Sequence, residues 1–327
     1  MRVCVTGGTG FTGAALVKRL LEEGHEVSVL DKQKGLISDE LERLGARLVF
    51  GSVTDPATVA DCVRGCEVVF HLAAAFRELN VPDSVYKEVN VDGTRIVAEQ
   101  SLAAGARKLV YCSTQGVHGH IDNPPGNENS PIAPADYYQQ TKYEGELELP
   151  PFAERGLEYT IIRPTAIYGP GDPGRFVMIY RRAKKGVFPM FGSGQTYYHP
   201  VYIDNLVDSF LLAMPEGAGR GEAYIIGDEE YFSLDELVKR VGKAIGVDVK
   251  VPHYPILPLI VAGHVVEKAC KPFGISPPIF PRRVDWFRQV RAFDISKAKR
   301  DLGYVPRVGI DEGLRKTGEW YLANGYI

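Results

Sequence analysis

Tyr138 and Lys142 stand four residues apart in Tyr138-Gln139-Gln140-Thr141-Lys142. If this segment is helical, the phenol and the ammonium project from one face. Proton transfer to or from an alcohol needs a phenolate at the right moment, and a free tyrosine has a pKa of about 10. Working near neutrality requires lowering that value by roughly 3 pH units, about 4 kcal/mol, and a neighbouring ammonium is a suitable source. The spacing alone also describes a solvated helix face, so the pair needs supporting pieces. One is Thr114, 24 residues before Tyr138, at the end of Val110-Tyr111-Cys112-Ser113-Thr114. Its hydroxyl would polarise a substrate oxygen. Ser113 is the competing hydroxyl, with bonding of backbone groups at the strand end as its alternative role.

The elements that must position these groups are legible as short apolar runs separated by helical segments: Val3-Cys4-Val5, Val27-Ser28-Val29-Leu30, Leu48-Val49-Phe50, Val68-Val69-Phe70, Leu109-Val110-Tyr111 and Thr160-Ile161-Ile162. Nearly continuous apolar strands that alternate with helices predict an α/β fold, a doubly wound parallel sheet covered on both faces. Functional groups then gather at the carboxyl ends of the strands, where Thr114 lies. After Pro164 the rhythm breaks into Gly- and Pro-rich sequence, followed by helices expected near 203–214 and 234–245 and a strand near 224–226. The expected division is a nucleotide-binding domain over 1–165 and a smaller substrate-binding lobe over 166–327, with segments near 200–226 returning to the first. The seam between them is the expected substrate cleft.

The opening Thr6-Gly7-Gly8-Thr9-Gly10-Phe11-Thr12-Gly13 follows a strand and precedes a helix with Val17, Leu20 and Leu21 on one side. Bare backbone at Gly7 and Gly10 permits a tight turn against a pyrophosphate, and Gly13 lets the helix pack close to the sheet. Free N–H groups of the helix start then face the phosphates. Asp31 closes the second strand 18 residues after Gly13. A carboxylate there accepts hydrogen bonds from the adenosine ribose and repels a 2′-phosphate, which favours NAD over NADP, with Lys32 as the neighbouring cation that works against this preference.

With 327 residues, 45% hydrophobic and a formal net charge of −3, the chain reads as an ordinary globular protein with no basic excess for nucleic acid. A small-molecule substrate is the expected partner. Five cysteines, Cys4, Cys62, Cys66, Cys112 and Cys270, read as reduced thiols packed like small hydrophobes, and no metal is expected. The N-terminus lacks a signal-peptide pattern, so a cytoplasmic location is expected. Tyr254 to Cys270 is apolar but interrupted by Pro255, Pro258, His264 and Glu267, too short to span a bilayer. It reads as a helix over a substrate pocket, with peripheral contact to a membrane or lipid as the alternative.

The glycine motif, His71-Leu72-Ala73-Ala74, Asn90-Val91-Asp92-Gly93-Thr94, the Thr114 strand, Tyr138/Lys142 and Arg163-Pro164 together resemble the extended short-chain dehydrogenases/reductases over nearly the whole chain. The resemblance implies hydride transfer between a nicotinamide and a substrate carbon. Tyr138 would be the acid or base, Thr114 would bind the substrate oxygen, and Lys142 would bind the nicotinamide ribose and lower the tyrosine pKa. Along the cofactor it implies Gly7, Gly10, Phe11, Thr12, Gly13, Asp31, Ser52, Val53, Leu72, Ala73, Ala74, Asn90, Pro164 and Ile167. Ser52 departs from the pattern, because relatives often carry an Asp that touches adenine. Asn90 is expected to bond backbone near the site, and Asp204 to cap the helix that follows it. A homodimer is also implied.

Relatives that dehydrate or decarboxylate nucleotide sugars carry acidic residues after the strand-end Thr, where this chain has Gln115 and Gly116. Nucleotide-sugar epimerases usually have an Asn and a Tyr where Ala166 and His118 stand, although Arg282-Arg283-Val284-Asp285 partly matches their phosphate-binding Arg. Arg163 to Asp172, His199 to Asn205, the apolar segment and Ala292 to Ala298 look more like the 3β-hydroxysteroid and sterol-4-carboxylate 3-dehydrogenase branch. The leading expectation is an NAD-dependent oxidoreductase acting on a secondary alcohol/ketone pair, on a sterol-like or other apolar substrate. A sugar 4-epimerase with tightly bound NAD and a non-catalytic dinucleotide sensor are the alternatives. Arg175, His199 and His118 are candidate substrate-facing groups, for which structural roles stay equally open.

Overall fold

Thirteen strands and thirteen helices are named here, all from residues 1–76, 82–172, 174–270 and 284–327, which the computed structural model describes except for the side chains of Arg175 and Glu267. The first six strands are β1 (Arg2–Thr6), β2 (Glu26–Asp31), β3 (Arg47–Phe50), β4 (Val68–His71), β5 (Lys108–Cys112) and β6 (Glu158–Pro164). Short strands follow at β7 (Ala166–Tyr168), β8 (Met190–Phe191), β9 (Tyr197–Tyr198) and β10 (Pro200–Tyr202), then β11 (Ala223–Ile226), β12 (Phe232–Ser233) and β13 (His253–Tyr254). The six expected strands all form, and β11 adds a seventh to one parallel sheet in the order β11-β6-β5-β4-β1-β2-β3. The Rossmann-like fold is therefore as expected.

The helices are α1 (Phe11–Glu22), α2 (Ser38–Arg43), α3 (Pro56–Val63), α4 (Asp83–Lys87), α5 (Gly93–Ala103), α6 (Tyr137–Leu147), α7 (Pro150–Ala153), α8 (Arg175–Ala183), α9 (Ile203–Ala213), α10 (Leu234–Ala244), α11 (Leu257–Cys270), α12 (Ser296–Leu302) and α13 (Ile310–Ala323). Alternation along β1 assigns the two faces of the sheet. Val3 and Val5 pack with Leu16, Val17 and Leu20 of α1 and with α9, whereas Cys4 packs with Val59 and Cys62 of α3 and Val97 of α5. Burying both faces of the central strands is what their unbroken apolar runs require. Cys4 and Cys62 are free thiols with sulfurs 3.3 Å apart in that second core.

Local chemistry sets the helix starts. Asp55 Oδ1 accepts from Ala57 N–H before Pro56 opens α3, and Ser233 Oγ accepts from Glu236 N–H at α10. The cap expected from Asp204 does not form: Tyr202 is the cap residue of α9, and Asp204 lies inside the first turn without a capping bond. The carboxylate that serves this corner comes from Asp228, just beyond β11.

Asp228 is buried, and it accepts hydrogen bonds from Tyr202 N–H (3.0 Å), Asn205 Nδ2 (2.7 Å) and Tyr168 Oη (3.3 Å). Asn205 Oδ1 in turn accepts from the backbone N–H groups of Arg307 and Val308, so one hub ties the sheet edge to β7, β10, α9 and the C-terminal segment. Burial pushes the Asp228 carboxyl up to about 6, against the lowering effect of its three donors. On α11, Leu257, Val261 and Val265 lie one turn apart and are 67%, 56% and 60% exposed. None of the described helices is long and apolar enough to cross a membrane.

Because the folded-state pKa of Asp228 is raised, its stabilising effect is complete below about pH 4 and is lost as pH rises through about 6. Relative to Asp228→Asn, the wild-type protein should lose roughly 3 kcal/mol of unfolding free energy across that interval. Denaturant titrations at several pH values measure it, and parallel curves for the two proteins would show that Asp228 ionises normally.

Candidate active site

Helix α6 carries the pair from which the sequence argument began, and three contacts fix it. Asp136 Oδ1 accepts from Gln139 N–H at its start (2.9 Å). Tyr111 Oη on β5 donates to Lys142 O (3.3 Å). A Cβ at Gly145 would come within 2.4 Å of Asn90 O and 2.6 Å of Tyr111 Oη, so only glycine lets α6 lie this close to β5.

Tyr138 is half-buried with its ring against Phe76, centroids 4.8 Å apart. Lys142 is 1% exposed, its Nζ lies 4.1 Å from the centre of the Tyr111 ring, and it has no hydrogen-bond partner. Burial pushes its ammonium down to about 8, with Cys112 and Glu146 acting in the opposite direction. Thr114 is extended (φ −157°, ψ 144°), and its Oγ1 accepts from Gly116 N–H at 3.0 Å, which leaves the hydroxyl proton to donate. Ser113, its competitor, is engaged on the α6 side. Its buried Oγ donates to Glu146 Oε1 at 2.5 Å while its N–H donates to Ile162 O.

Glu146 was not singled out in the sequence, yet it holds this corner. It sits on α6, four residues beyond Lys142, and both carboxylate oxygens are taken by Arg163 of β6: Nε donates to Oε1 (2.9 Å) and Nη2 to Oε2 (2.5 Å). Arg163 Nη1 donates to His118 Nε2 (3.1 Å), whose Nδ1–H donates to Ser130 O (3.0 Å). Burial and then the Arg163 charge push the His118 imidazole down, which keeps it neutral. His118 is thus a structural link between Arg163 and the 130–131 backbone.

At the nucleotide end, Gly7 has φ +71°, and a Cβ there would stand 2.6 Å from Ala73 N; a Cβ at Gly13 would stand 2.1 Å from Gly7 O. Gly7 therefore abuts Leu72 and Ala73, just beyond β4, with backbone on backbone, while Gly10 lies in the turn that follows and Phe11 and Thr12 open α1. Asp31 accepts from Thr9 N–H (3.0 Å) and Lys32 N–H (2.8 Å), which places its carboxylate beside the glycine loop. Thr6 Oγ1 donates to His71 Nδ1 (2.7 Å), His71 Nε2–H donates to Thr94 Oγ1 (3.1 Å), and Thr94 donates to Asn90 O (2.7 Å). Each hydroxyl's bonds fix the tautomer of the ring, and burial followed by the Lys142 charge pushes His71 well down.

Asn90 lies in a π-helical turn (Glu88–Asp92). Its Oδ1 accepts from Ala75 N–H (2.8 Å), and its Nδ2 donates to Thr141 Oγ1 (3.0 Å), the backbone role expected of it. Pro164 ends β6 and Ile167 lies in β7, beside that edge. Val53 is buried, and Ser52 Oγ accepts from Thr54 N–H in a local turn. His199 does not face a cleft: Nε2–H donates to Asp228 O (2.8 Å), Nδ1 accepts from Phe293 N–H (3.3 Å), and burial pushes its pKa down to about 4. With both nitrogens bonded to backbone, its expected substrate contact is withdrawn. Arg175 opens α8, and its side chain lies outside the described residues, as do Arg282 and Arg283. Among the described residues no cluster of His, Cys, Asp or Glu is arranged to hold a metal ion.

Among the described residues, buried polar side-chain atoms without a partner are Gln115 Oε1, Lys142 Nζ, Thr165 Oγ1 and Trp286 Nε1. The first three lie at the carboxyl edge around β5 and β6. Thr165, between Pro164 and Ile167, lies in the Arg163 to Asp172 stretch but was not singled out as a site residue. An unmet ammonium and hydroxyl there, with bare backbone at Gly7, Gly10 and Gly13 and an acidic group at Asp31, fit a dinucleotide with ribose and carboxamide groups to satisfy them.

Residues 3–227 match the model of the NAD dependent epimerase/dehydratase family. A 3-beta-hydroxysteroid dehydrogenase of Mycolicibacterium neoaurum is 32% identical over 344 residues, covering 98% of this chain and 91% of that protein. A 2-alkyl-3-oxoalkanoate reductase of Stenotrophomonas maltophilia is 30% identical over 327 residues, covering 97% and 98%. The UDP-glucose 4-epimerase of Thermotoga maritima, solved with UDP-glucose, superposes with a TM-score of 0.81 at 28% identity over 99% of both chains.

The unmet charge of Lys142 has a measurable cost. Its depressed folded-state pKa means that the penalty is present below about pH 8 and is relieved as pH rises toward the unfolded value. Lys142→Met should raise the unfolding free energy of the ligand-free protein near neutral pH by roughly 1–3 kcal/mol, and remove the stabilisation that wild type gains above about pH 8. A variant less stable than wild type would mean that the ammonium is satisfied in the free protein.

Proposed function

The chain belongs to the NAD dependent epimerase/dehydratase family, and from that membership we propose an NAD-dependent oxidoreductase that interconverts a secondary alcohol and a ketone on a substrate with an apolar body. The observation that carries this reading is the buried, unpartnered Lys142 ammonium one helical turn from Tyr138. A cation kept out of water at that distance favours the phenolate of its neighbour, which a proton-transfer group requires. NAD, when bound, supplies the hydride acceptor.

Tyr138 takes the proton from the substrate hydroxyl in oxidation and returns it in reduction. Thr114, with one lone pair already engaged by Gly116 N–H, donates its hydroxyl proton to the same substrate oxygen and orients it. Lys142 holds ribose hydroxyls and lowers the phenol pKa. Neutral His71 and His118 leave it as the cation of this corner besides the paired Arg163. Gly7, Gly10, Phe11, Thr12 and Gly13 hold the pyrophosphate, and Asp31 holds the adenosine ribose. Val53, Leu72, Ala73, Ala74, Asn90, Pro164, Thr165 and Ile167 line the rest of the cofactor path. The hydroxysteroid dehydrogenase and oxoalkanoate reductase among the relatives support an alcohol/ketone pair, and the exposed apolar stripe of α11 suits an apolar substrate.

The test is net NADH formation by purified protein with NAD across sterols, simpler secondary alcohols and UDP-glucose, with analysis for sugar epimers. NADH from an apolar alcohol is expected, and sugar interconversion without net NADH would replace this reading by the epimerase one. Tyr138→Phe should lower kcat by roughly 10²–10⁴-fold while NAD still binds, and normal turnover would remove the assigned mechanism. Asp31→Ala should shift preference toward NADP by roughly tenfold, read from the kcat/KM ratio, and an unchanged ratio would reject its role.

A further inference from the structure

Two segments far from the glycine loop leave large apolar side chains in water: Met178 and Val187 in one, Tyr254, Leu257, Val261 and Val265 in the other. The same segments are basic. Arg181, Arg182, Lys184, Lys185 and Lys250 are all exposed, and none of them forms an ion pair with a described residue; Arg181 Nε donates to Tyr326 O (2.7 Å). Residues 178–192 and 249–266 hold these five cations and no Asp or Glu, with Asp248 and Glu267 just outside, in a chain whose formal net charge is −3. The positive field of this face is therefore local.

Backbone pairing joins the basic and apolar parts. Strand β13 lies beside β8, and the ladder continues backward through Phe188 N–H to Lys250 O (2.9 Å) and Lys250 N–H to Gly186 O (2.9 Å). Lys250 thus adds a fifth cation at the end of the Arg181 to Lys185 cluster. Pleating sends Lys250 and Tyr254 to the same side of the ribbon, and both are exposed. His253 alternates with them, and Asp235 holds its ring (2.9 Å). Leu257 opens α11 three residues after Tyr254, and Val261 and Val265 continue the stripe at four-residue steps. Cations and apolar ridge are separated by about 13 Å of strand, at about 3.3 Å per residue.

Charge decides what can cover this face. A second copy related by two-fold symmetry would set the same five cations against one another. A nucleic acid would answer the cations but leave Leu257, Val261 and Val265 in water. An anionic bilayer answers both, with headgroups on the cations and acyl chains on the ridge. We infer that Arg181 to Lys185, Lys250 and the exposed stripe of α11 form a docking surface for membranes that contain anionic phospholipid. Helix α11, with 14 residues, lies in the interface and does not cross it. Docking needs no turnover, so the inference stands or falls apart from the reaction proposed above.

The test is co-sedimentation of the full chain with sucrose-loaded vesicles of phosphatidylcholine, alone or with about one third phosphatidylglycerol. Wild type should bind the anionic vesicles roughly tenfold or more tighter than the neutral ones, and lose roughly tenfold when salt rises from about 0.05 to about 0.5 M. Arg182→Glu with Lys185→Glu should reduce the preference for anionic lipid to about twofold or less. Leu257→Gln with Val261→Gln should weaken binding to the anionic vesicles by roughly tenfold. All four positions are exposed, unchanged thermal melting identifies variants that keep the fold, and the lipid preference of wild type is a test by itself. Equal binding to both vesicles, binding to neither, or binding that both double variants leave intact would overturn the inference. Binding of a DNA duplex as tight as that of the vesicles would assign the face to nucleic acid instead, and a wild-type dimer dissolved by Leu257→Gln with Val261→Gln would assign it to a second copy of the chain.

Discussion

The pairing of Glu146 with Arg163 is the constraint on which the site depends. Two charges removed from water are tolerable only when every lone pair and donor is used, and here Ser113 and His118 complete the set. Losing either charge would strand the other in a dry interior. Because Glu146, Lys142 and Tyr138 recur every fourth residue along α6, pinning Glu146 to β6 also sets the rotation of the helix. Gly145 then sets its depth, since the backbone of Asn90 and the ring of Tyr111 occupy the space of any larger side chain. Rotation and depth together determine where the phenol and the ammonium stand relative to Thr114.

Around that frame the charges are arranged unevenly. His71 and His118 are neutral, each with both ring nitrogens in hydrogen bonds, and Arg163 is fully paired. Lys142 alone in this corner holds a charge with no hydrogen-bond partner among the described residues, only the face of the Tyr111 ring. Stability is thus forfeited at the place where a ligand would restore it, as expected of a preorganised site.

The sequence was informative wherever a local pattern has a local cause. Apolar runs located six strands of the sheet, the glycines at 7, 10 and 13 marked a backbone contact that tolerates no side chain, and Tyr138/Lys142 followed from helical spacing. It was silent where the cause is tertiary. Glu146 looks like any solvent-facing acid on a polar helix, and only the arrival of Arg163 from β6 buries it. Ser113 and Thr114 are equivalent hydroxyls until the pleat sends one toward α6. His199 has the composition of a substrate ligand, yet Asp228 and Phe293 consume both its nitrogens. The π-helical turn that aims Asn90 at Ala75 leaves no trace in residue type, and Asp204 looked like a cap because Asp228, which does serve that corner, is distant in sequence.

The seventh strand has a consequence for how the chain acquires its structure. Ala223 follows Pro164 with 58 intervening residues, yet β11 is the strand that pairs with β6 on its outer side. As the chain emerges from the ribosome, the five strands β1 to β5 and then β6 can associate in succession, but the outer edge of β6, from Ile161 to Pro164, has unpaired backbone until β11 arrives. An uncovered apolar edge is a template for pairing with another chain. The interval between synthesis of β6 and docking of β11 is therefore the period when a nascent molecule is most exposed to aggregation, and slow translation or mutation within 165–222 would lengthen it.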